Sequence, residues 1–77
     1  MQKIQISNIS DLAALIRHTR KSQGLTQEDL AGMSGLGRRF ISELESGKES
    51  AQVSKVLLVL NVLGIGLEGV CQWKDEA

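Results

Sequence analysis

Apolar side chains recur along this chain with the period of an α-helix, and the period breaks at glycines. Leu12, Leu15, Ile16 and Thr19 fall on one helical stripe that ends near Gly24. Ser10 sits where its N-cap should be, and Asp11 follows in the first turn, where the helix dipole favours a carboxylate. A second helix opens at Thr26, a good cap, with Asp29 three residues on as the return half of a capping box. Leu25, Leu30 and Met33 give this helix apolar surface, Ala31 and Gly35 are small where two helices must cross, and Gly32 costs it about 1 kcal/mol relative to alanine. A third short helix runs from about Arg38 to Ser46 and stops at Gly47.

The fourth helix, near Ala51 to Leu63, differs in kind. VSKVLLVLNVL is apolar on almost every side, with Lys55 and Asn61 as the main exceptions. A helix apolar all round must be covered all round. In so short a chain the other helices cover one side, so a second copy of the protein is the simplest cover for the rest. Leu58, Val59 and Val62, with Leu67 and Val70 from the tail, are the expected dimer interface. Both chain ends alternate instead. Residues 2–6, QKIQI, fit a short strand or an extended arm, and Ile65, Leu67, Cys71 and Trp73 line one side of a strand interrupted by Gly66 and Gly69. An isolated strand is not stable, so the tail should pair with Gln2 to Ile6 or with its symmetry mate. Residues 1–77 thus read as one domain, with a dimerisation tail over 64–77.

A chain of 77 residues buries only about 60% of its unfolded surface, which makes a stabilising partner subunit valuable. One Phe, one Trp and no Tyr leave little to stack single-stranded bases on. The single cysteine, Cys71, makes no internal disulfide, and neither a signal sequence nor a long apolar run is evident, so a cytoplasmic protein without a membrane span is expected. Nine basic and nine acidic residues cancel, which argues against a generic polyanion binder. Position matters more than the sum. Between Ile16 and Lys48 six cations face four acids, and a locally basic surface on a neutral protein suits binding at a particular site. Gly64, Gly66 and Gly69 spell a dinucleotide fingerprint but follow a helix and open none, so no βαβ unit can form. His18 and Cys71 are too few for a zinc site, and no catalytic constellation is recognisable, so no enzyme, metal or cofactor is expected.

Two short amphipathic helices joined by a Gly-containing turn, the second opening with Arg38 and Arg39, have the layout of a helix-turn-helix that seats its second helix in the DNA major groove. At about 100° per residue, with Arg38 at zero, Ile41 and Leu44 lie near 300° and 240° and define the buried side. Ser42, Arg39 and Glu43 point the opposite way, flanked by Arg38 and Phe40. Arginine pairs bidentately with guanine, and glutamate can accept from the cytosine amino group. Phe40 either meets a thymine methyl or caps the core beside Leu44, with partial burial favoured. Gln27, at the start of helix 2, is placed for phosphate contact with the free backbone N–H groups there. Arg17, Arg20 and Lys21 on helix 1 read equally as a solvated face or as phosphate contacts. Lys48 completes the candidate DNA surface.

At RKSQGLTQ, LAGMSGL and ISELESGK the sequence resembles the Cro/cI-type helix-turn-helix regulators, the Xre family, over about residues 12–63. The resemblance implies an all-α, lambda-repressor-like bundle of four to five helices, with short terminal strands pairing in a homodimer that binds a palindromic operator on double-stranded DNA and represses transcription. Carried over, the base contacts are Arg38, Arg39 and Glu43 and the phosphate contact is Gln27. The family's ion pair between helices 1 and 3 becomes Arg20 with Glu45, leaving Arg17 and Lys21 for DNA. Gly37 stands where Ser or Thr normally caps helix 3, and Ser34 where a small apolar residue is common. The QKI segment and strand-like tail are similar to HipB-type antitoxins, which repress their own operon and hold a HipA-type serine/threonine kinase toxin. On that likeness Trp73 is either a toxin-contacting anchor or a residue packed on its own dimer strand. The rival readings are a protein-binding module that mainly sequesters such a partner, and a phage-type repressor with no toxin.

Overall fold

The computed structural model describes residues 2–73, so the last four residues of the expected tail, and the first residue of the domain, lie outside the described residues. Four helices run in the order α1 (Ile9–Ser22), α2 (Gln27–Ser34), α3 (Arg38–Glu45) and α4 (Val53–Leu63). α1 begins earlier than the pattern suggested. Its N-cap is Asn8, whose side chain accepts from the Asp11 N–H at 2.8 Å, while the Asp11 carboxylate reaches back to the Ser7 N–H. Ser10 is therefore inside the first turn and does not cap it. α2 has the expected capping box: Thr26 Oγ1 accepts from the Asp29 N–H at 3.0 Å, and Asp29 Oδ2 accepts from the Thr26 N–H at 2.9 Å. The hydrogen bonds it accepts from Thr26, the backbone N–H foremost, hold the Asp29 carboxyl below its ordinary pKa.

Gly35 has a different role from the one its size suggested. No atom approaches the position of a Cβ there, but φ is +69°, the left-handed turn that ends α2. The Leu36 N–H then closes on the Ala31 carbonyl at 2.9 Å, satisfying an orphan acceptor and starting the reversal into α3. Gly64 ends α4 the same way at φ +78°, with the Ile65 N–H on the Leu60 carbonyl.

The core joins Ile16 of α1, Leu30 and Ala31 of α2, Ile41 and Leu44 of α3, and Val56, Val59, Leu60 and Leu63 of α4. On α1 the most buried positions are Ala13, Ile16 and Arg20, while Leu12, Leu15 and Thr19 are half-buried. Met33 was expected to feed apolar surface into the packing. It instead lies exposed at the outer end of α2.

α4 resolves its own ambiguity. Of its apolar positions the protomer buries one stripe at i, i+3, i+4 and i+7, namely Val56, Val59, Leu60 and Leu63, and leaves Val53, Leu57 and Leu58 exposed. Val59 is 0% exposed inside its own protomer and cannot contribute to a dimer interface, contrary to the sequence expectation. Leu58, Leu67 and Val70 are exposed and Val62 is half-buried against the core.

Pairing between the two ends of one protomer is not seen: among the described residues, 2–7 and 65–73 are without a ladder. A strand needs a partner's N–H and C=O groups, and among the described residues the two ends of one protomer share a long ion pair between Lys3 and Glu68 at 3.9 Å but no backbone hydrogen bond. Among the described residues no helix is long and apolar enough to cross a membrane.

Candidate DNA-binding surface

α3 sorts its eight residues as the helical wheel predicts. Ile41 and Leu44 are fully buried, while Arg38, Arg39 and Ser42 are exposed on the other side. Nothing within the helix demanded this beyond two apolar residues three apart, which is one turn. Gly37 is the N-cap and brings no side-chain hydrogen bond, so the first N–H groups of α3 keep their donors. Two guanidinium groups on the first helical turn add cations where the dipole is already positive, an arrangement that an arriving anion relieves. Phe40 is half-buried against the core, and the Lys55 ammonium lies 5.8 Å from its ring centroid. Sequence reasoning gave Lys55 no role. It comes from α4, and only the tertiary fold brings it to that ring.

Behind this surface lies a buried polar joint. Arg20 Nε and Nη2 donate to the two carboxylate oxygens of Glu45 at 2.6 and 2.9 Å, and Arg20 Nη1 donates to the Leu25 carbonyl at 2.7 Å. Both side chains are almost fully buried, at 8% and 3% exposure. This is the ion pair between α1 and α3 that the family resemblance implied. Gln27 joins it from the start of α2, its Nε2 donating to Glu45 Oε1 at 3.1 Å. The side-chain amide expected to point at a phosphate thus spends one donor inward. Burial pushes the Glu45 carboxyl up, but hydrogen bonds from Arg20 and Gln27 and the charges of Arg20 and Arg17 outweigh it, and the net displacement is downward. The Arg20 guanidinium is raised, chiefly by its hydrogen bond to Glu45.

Glu43, two residues before Glu45, sits in a second charged cluster at the surface. Its Oε2 accepts from Lys48 Nζ at 3.1 Å and lies 3.8 Å from Arg39 Nε. The three residues were singled out separately from sequence, and the structure brings them together. Arg17 and Lys21 lie on the exposed face of α1, where with His18, Glu45 and Ser46 they edge an open groove beside the end of α3. His18 and Ser46 were not among the candidates. The spacing of His18 between Arg17 and Lys21 on one helix was the available signal. Trp73, Val70 and Leu67 lie exposed on the tail, remote in sequence from the basic surface. Among the described residues no group of three or more His, Cys, Asp or Glu is placed to hold a metal ion.

A family model described as Helix-turn-helix matches residues 16–70, most of the chain. The chain belongs to this helix-turn-helix family of transcriptional regulators. An uncharacterized HTH-type transcriptional regulator of Sinorhizobium fredii, y4mF, is 48% identical over 64 residues, covering 83% of this chain and 84% of its own length. An uncharacterized HTH-type transcriptional regulator of Methanocaldococcus jannaschii is 28% identical over 61 residues, covering 79% of this chain and 92% of its own. Among solved structures, a chain of a HipB-O4 20mer complex superposes with a TM-score of 0.83 at 21% identity, over 92% of this chain and all of that one. A chain of a HipA-HipB-O2-O3 complex matches with the same figures. The four-helix helix-turn-helix fold is therefore shared with the HipB structures.

Proposed function

We propose that this regulator is a homodimeric repressor that inserts α3 into successive major grooves of a palindromic operator in its own promoter, and that it is the antitoxin of a HipBA-type operon. The observation that carries the DNA reading is the two-sidedness of α3: Ile41 and Leu44 fully buried, Arg38 and Arg39 exposed on its first turn. A helix anchored from behind presents its opposite face as a rigid rod, and two arginines are the side chains best shaped to read guanine edges. Ser42 and Glu43 share that face, with half-buried Phe40 at its edge. Gln27, Arg17, Lys21 and Lys48 supply phosphate contacts around it. The second copy covers Leu57 and Leu58 of α4, with Val62 at the margin, and the tails carrying Leu67 and Val70 pair across the twofold axis.

The operator reading is tested by a mobility-shift titration on a duplex taken from the protein's own promoter. Arg39→Ala weakens binding by about 1–3 kcal/mol, roughly 5- to 150-fold, and relaxes preference at one base pair. Unchanged affinity would remove α3 as the reading element.

The antitoxin part is supported by the fold shared with chains from HipB complexes, one of which also holds HipA. Co-purification with the neighbouring gene product, a kinase if the reading holds, tests it. A second reading, a module that mainly grips a protein partner, is favoured by the exposure of Val70 and Trp73 at 86% and 75%. Apolar tail residues left in water are a docking anchor in search of a pocket. Removing residues 72–77 then abolishes capture of the partner while leaving operator binding intact.

A further inference from the structure

Glu43 was read from sequence as a base-contacting acceptor, yet its carboxylate is already engaged. Lys48 Nζ holds Oε2 at 3.1 Å, and Arg39 Nε stands 3.8 Å from the same oxygen. The main chain reinforces the arrangement. The Lys48 N–H and the Ser46 hydroxyl both donate to the Glu43 carbonyl, at 3.1 and 2.7 Å, so the loop that carries Lys48 is folded back onto the residue it neutralises. Glu43 is also the sheltered member, its side chain 35% exposed against 90% for Arg39. A fixed anion therefore sits between two cations on the surface that faces the duplex.

We propose that Glu43 is a specificity gate: it pairs with Arg39 and Lys48, so that recruiting them to phosphates alone forfeits those contacts, whereas at the right site a base edge replaces the contact that Arg39 gives up. This deepens the DNA-binding reading above and rests on it. On an arbitrary duplex, each phosphate contact made by Arg39 or Lys48 costs a contact to Glu43 and brings a carboxylate towards a phosphate. On the right site, Arg39 takes a guanine edge, and the carboxylate accepts from a base amino group in the major groove, so the exchange is compensated. The gate works by penalising wrong sequences, in keeping with a protein of zero net charge.

The test compares wild type, Glu43→Gln, Arg39→Ala and the double variant, all as full chains, on the promoter duplex and on a scrambled duplex of the same length and composition. Glu43→Gln keeps the size of the side chain and one acceptor but removes the charge. It raises affinity for the scrambled duplex by about 5-fold or more at low salt, and steepens the dependence of log K on log salt by about one to two as freed cations reach phosphates. Promoter affinity changes less, so the ratio of the two falls. In the Arg39→Ala background the gain on scrambled DNA shrinks, because one of the released cations is gone. Equal gains in both backgrounds would mean that net charge alone is responsible and would overturn the gate. So would an unchanged scrambled-DNA affinity, or a loss confined to the promoter, which would leave Glu43 as a simple base reader. Coincident thermal unfolding curves for wild type and Glu43→Gln exclude a folding artefact. A wild type that does not distinguish the two duplexes overturns the DNA-binding reading itself, and the gate with it.

Discussion

Two glutamates two residues apart on α3 each bind cations, and they have opposite consequences. Glu45 faces inward, where Arg20 and Gln27 meet it in a joint almost closed to water; Glu43 faces outward, where Arg39 and Lys48 hold it under solvent screening. The attraction is similar in kind, but burial changes what a broken contact leaves behind. Inside, an orphaned charge has no water to turn to. Outside, each partner is rehydrated at little cost and is free to be recruited by another ligand. The inner cluster therefore fixes α1, α2 and α3 relative to one another, while the outer one can be exchanged during binding.

The contrast can be broken most directly at Glu45. Glu45→Ala leaves the Arg20 guanidinium buried and unpaired and should cost about 3–5 kcal/mol in urea unfolding, a large share of what a domain of this size holds. A loss below about 1 kcal/mol would mean the joint is no different from a surface pair. Acid should act on the same group. Because the folded-state pKa of Glu45 is lowered, its contribution is present above the ordinary glutamate value, about 4.3, and is lost as pH falls through the lowered folded value. Unfolding measured from pH 7 down to pH 2 should show that loss, and the Glu45→Ala variant should show less of it.

A third polar group sharpens the comparison from the other side. Ser34 Oγ is buried at the end of α2 with no hydrogen-bond partner, on a chain position where a small apolar residue is common in the family resemblance. Ser34→Ala should therefore stabilise the protein by on the order of 1 kcal/mol, since the hydroxyl's desolvation is uncompensated. A destabilised variant would show that the hydroxyl finds a partner in solution. The smallest effect is expected at the outer cluster. Glu43→Gln should change unfolding free energy by less than about 0.5 kcal/mol, so that any larger effect on DNA binding is separable from stability.

Much of this was legible from residues near one another in the chain. The capping box of Thr26 and Asp29, the inward Ile41 and Leu44, and the outward Arg38 and Arg39 follow from local hydrogen bonding and a 3.6-residue period. The inner ion pair was accessible only through family resemblance, because nothing local links Arg20 to a carboxylate 25 residues away. In the outer cluster Arg39 and Glu43 are a local i, i+4 pair, but Lys48 escaped for a similar reason: it reaches Glu43 only after the chain has left the helix and turned back.

What the sequence determined by itself was periodicity: how many helices there are and roughly where they lie, and which side of a short amphipathic helix is apolar. α4 marks the limit, since a helix apolar on nearly every side carries no record of which face goes inward. Only packing against α1 and α2 selected Val56, Val59, Leu60 and Leu63, removing Val59 from the expected interface while leaving Leu57 and Leu58 in solvent. Met33 was decided in the same way, apolar by composition and exposed by position. Burial depends on what lies across the core, and short-range pattern carries no information about that.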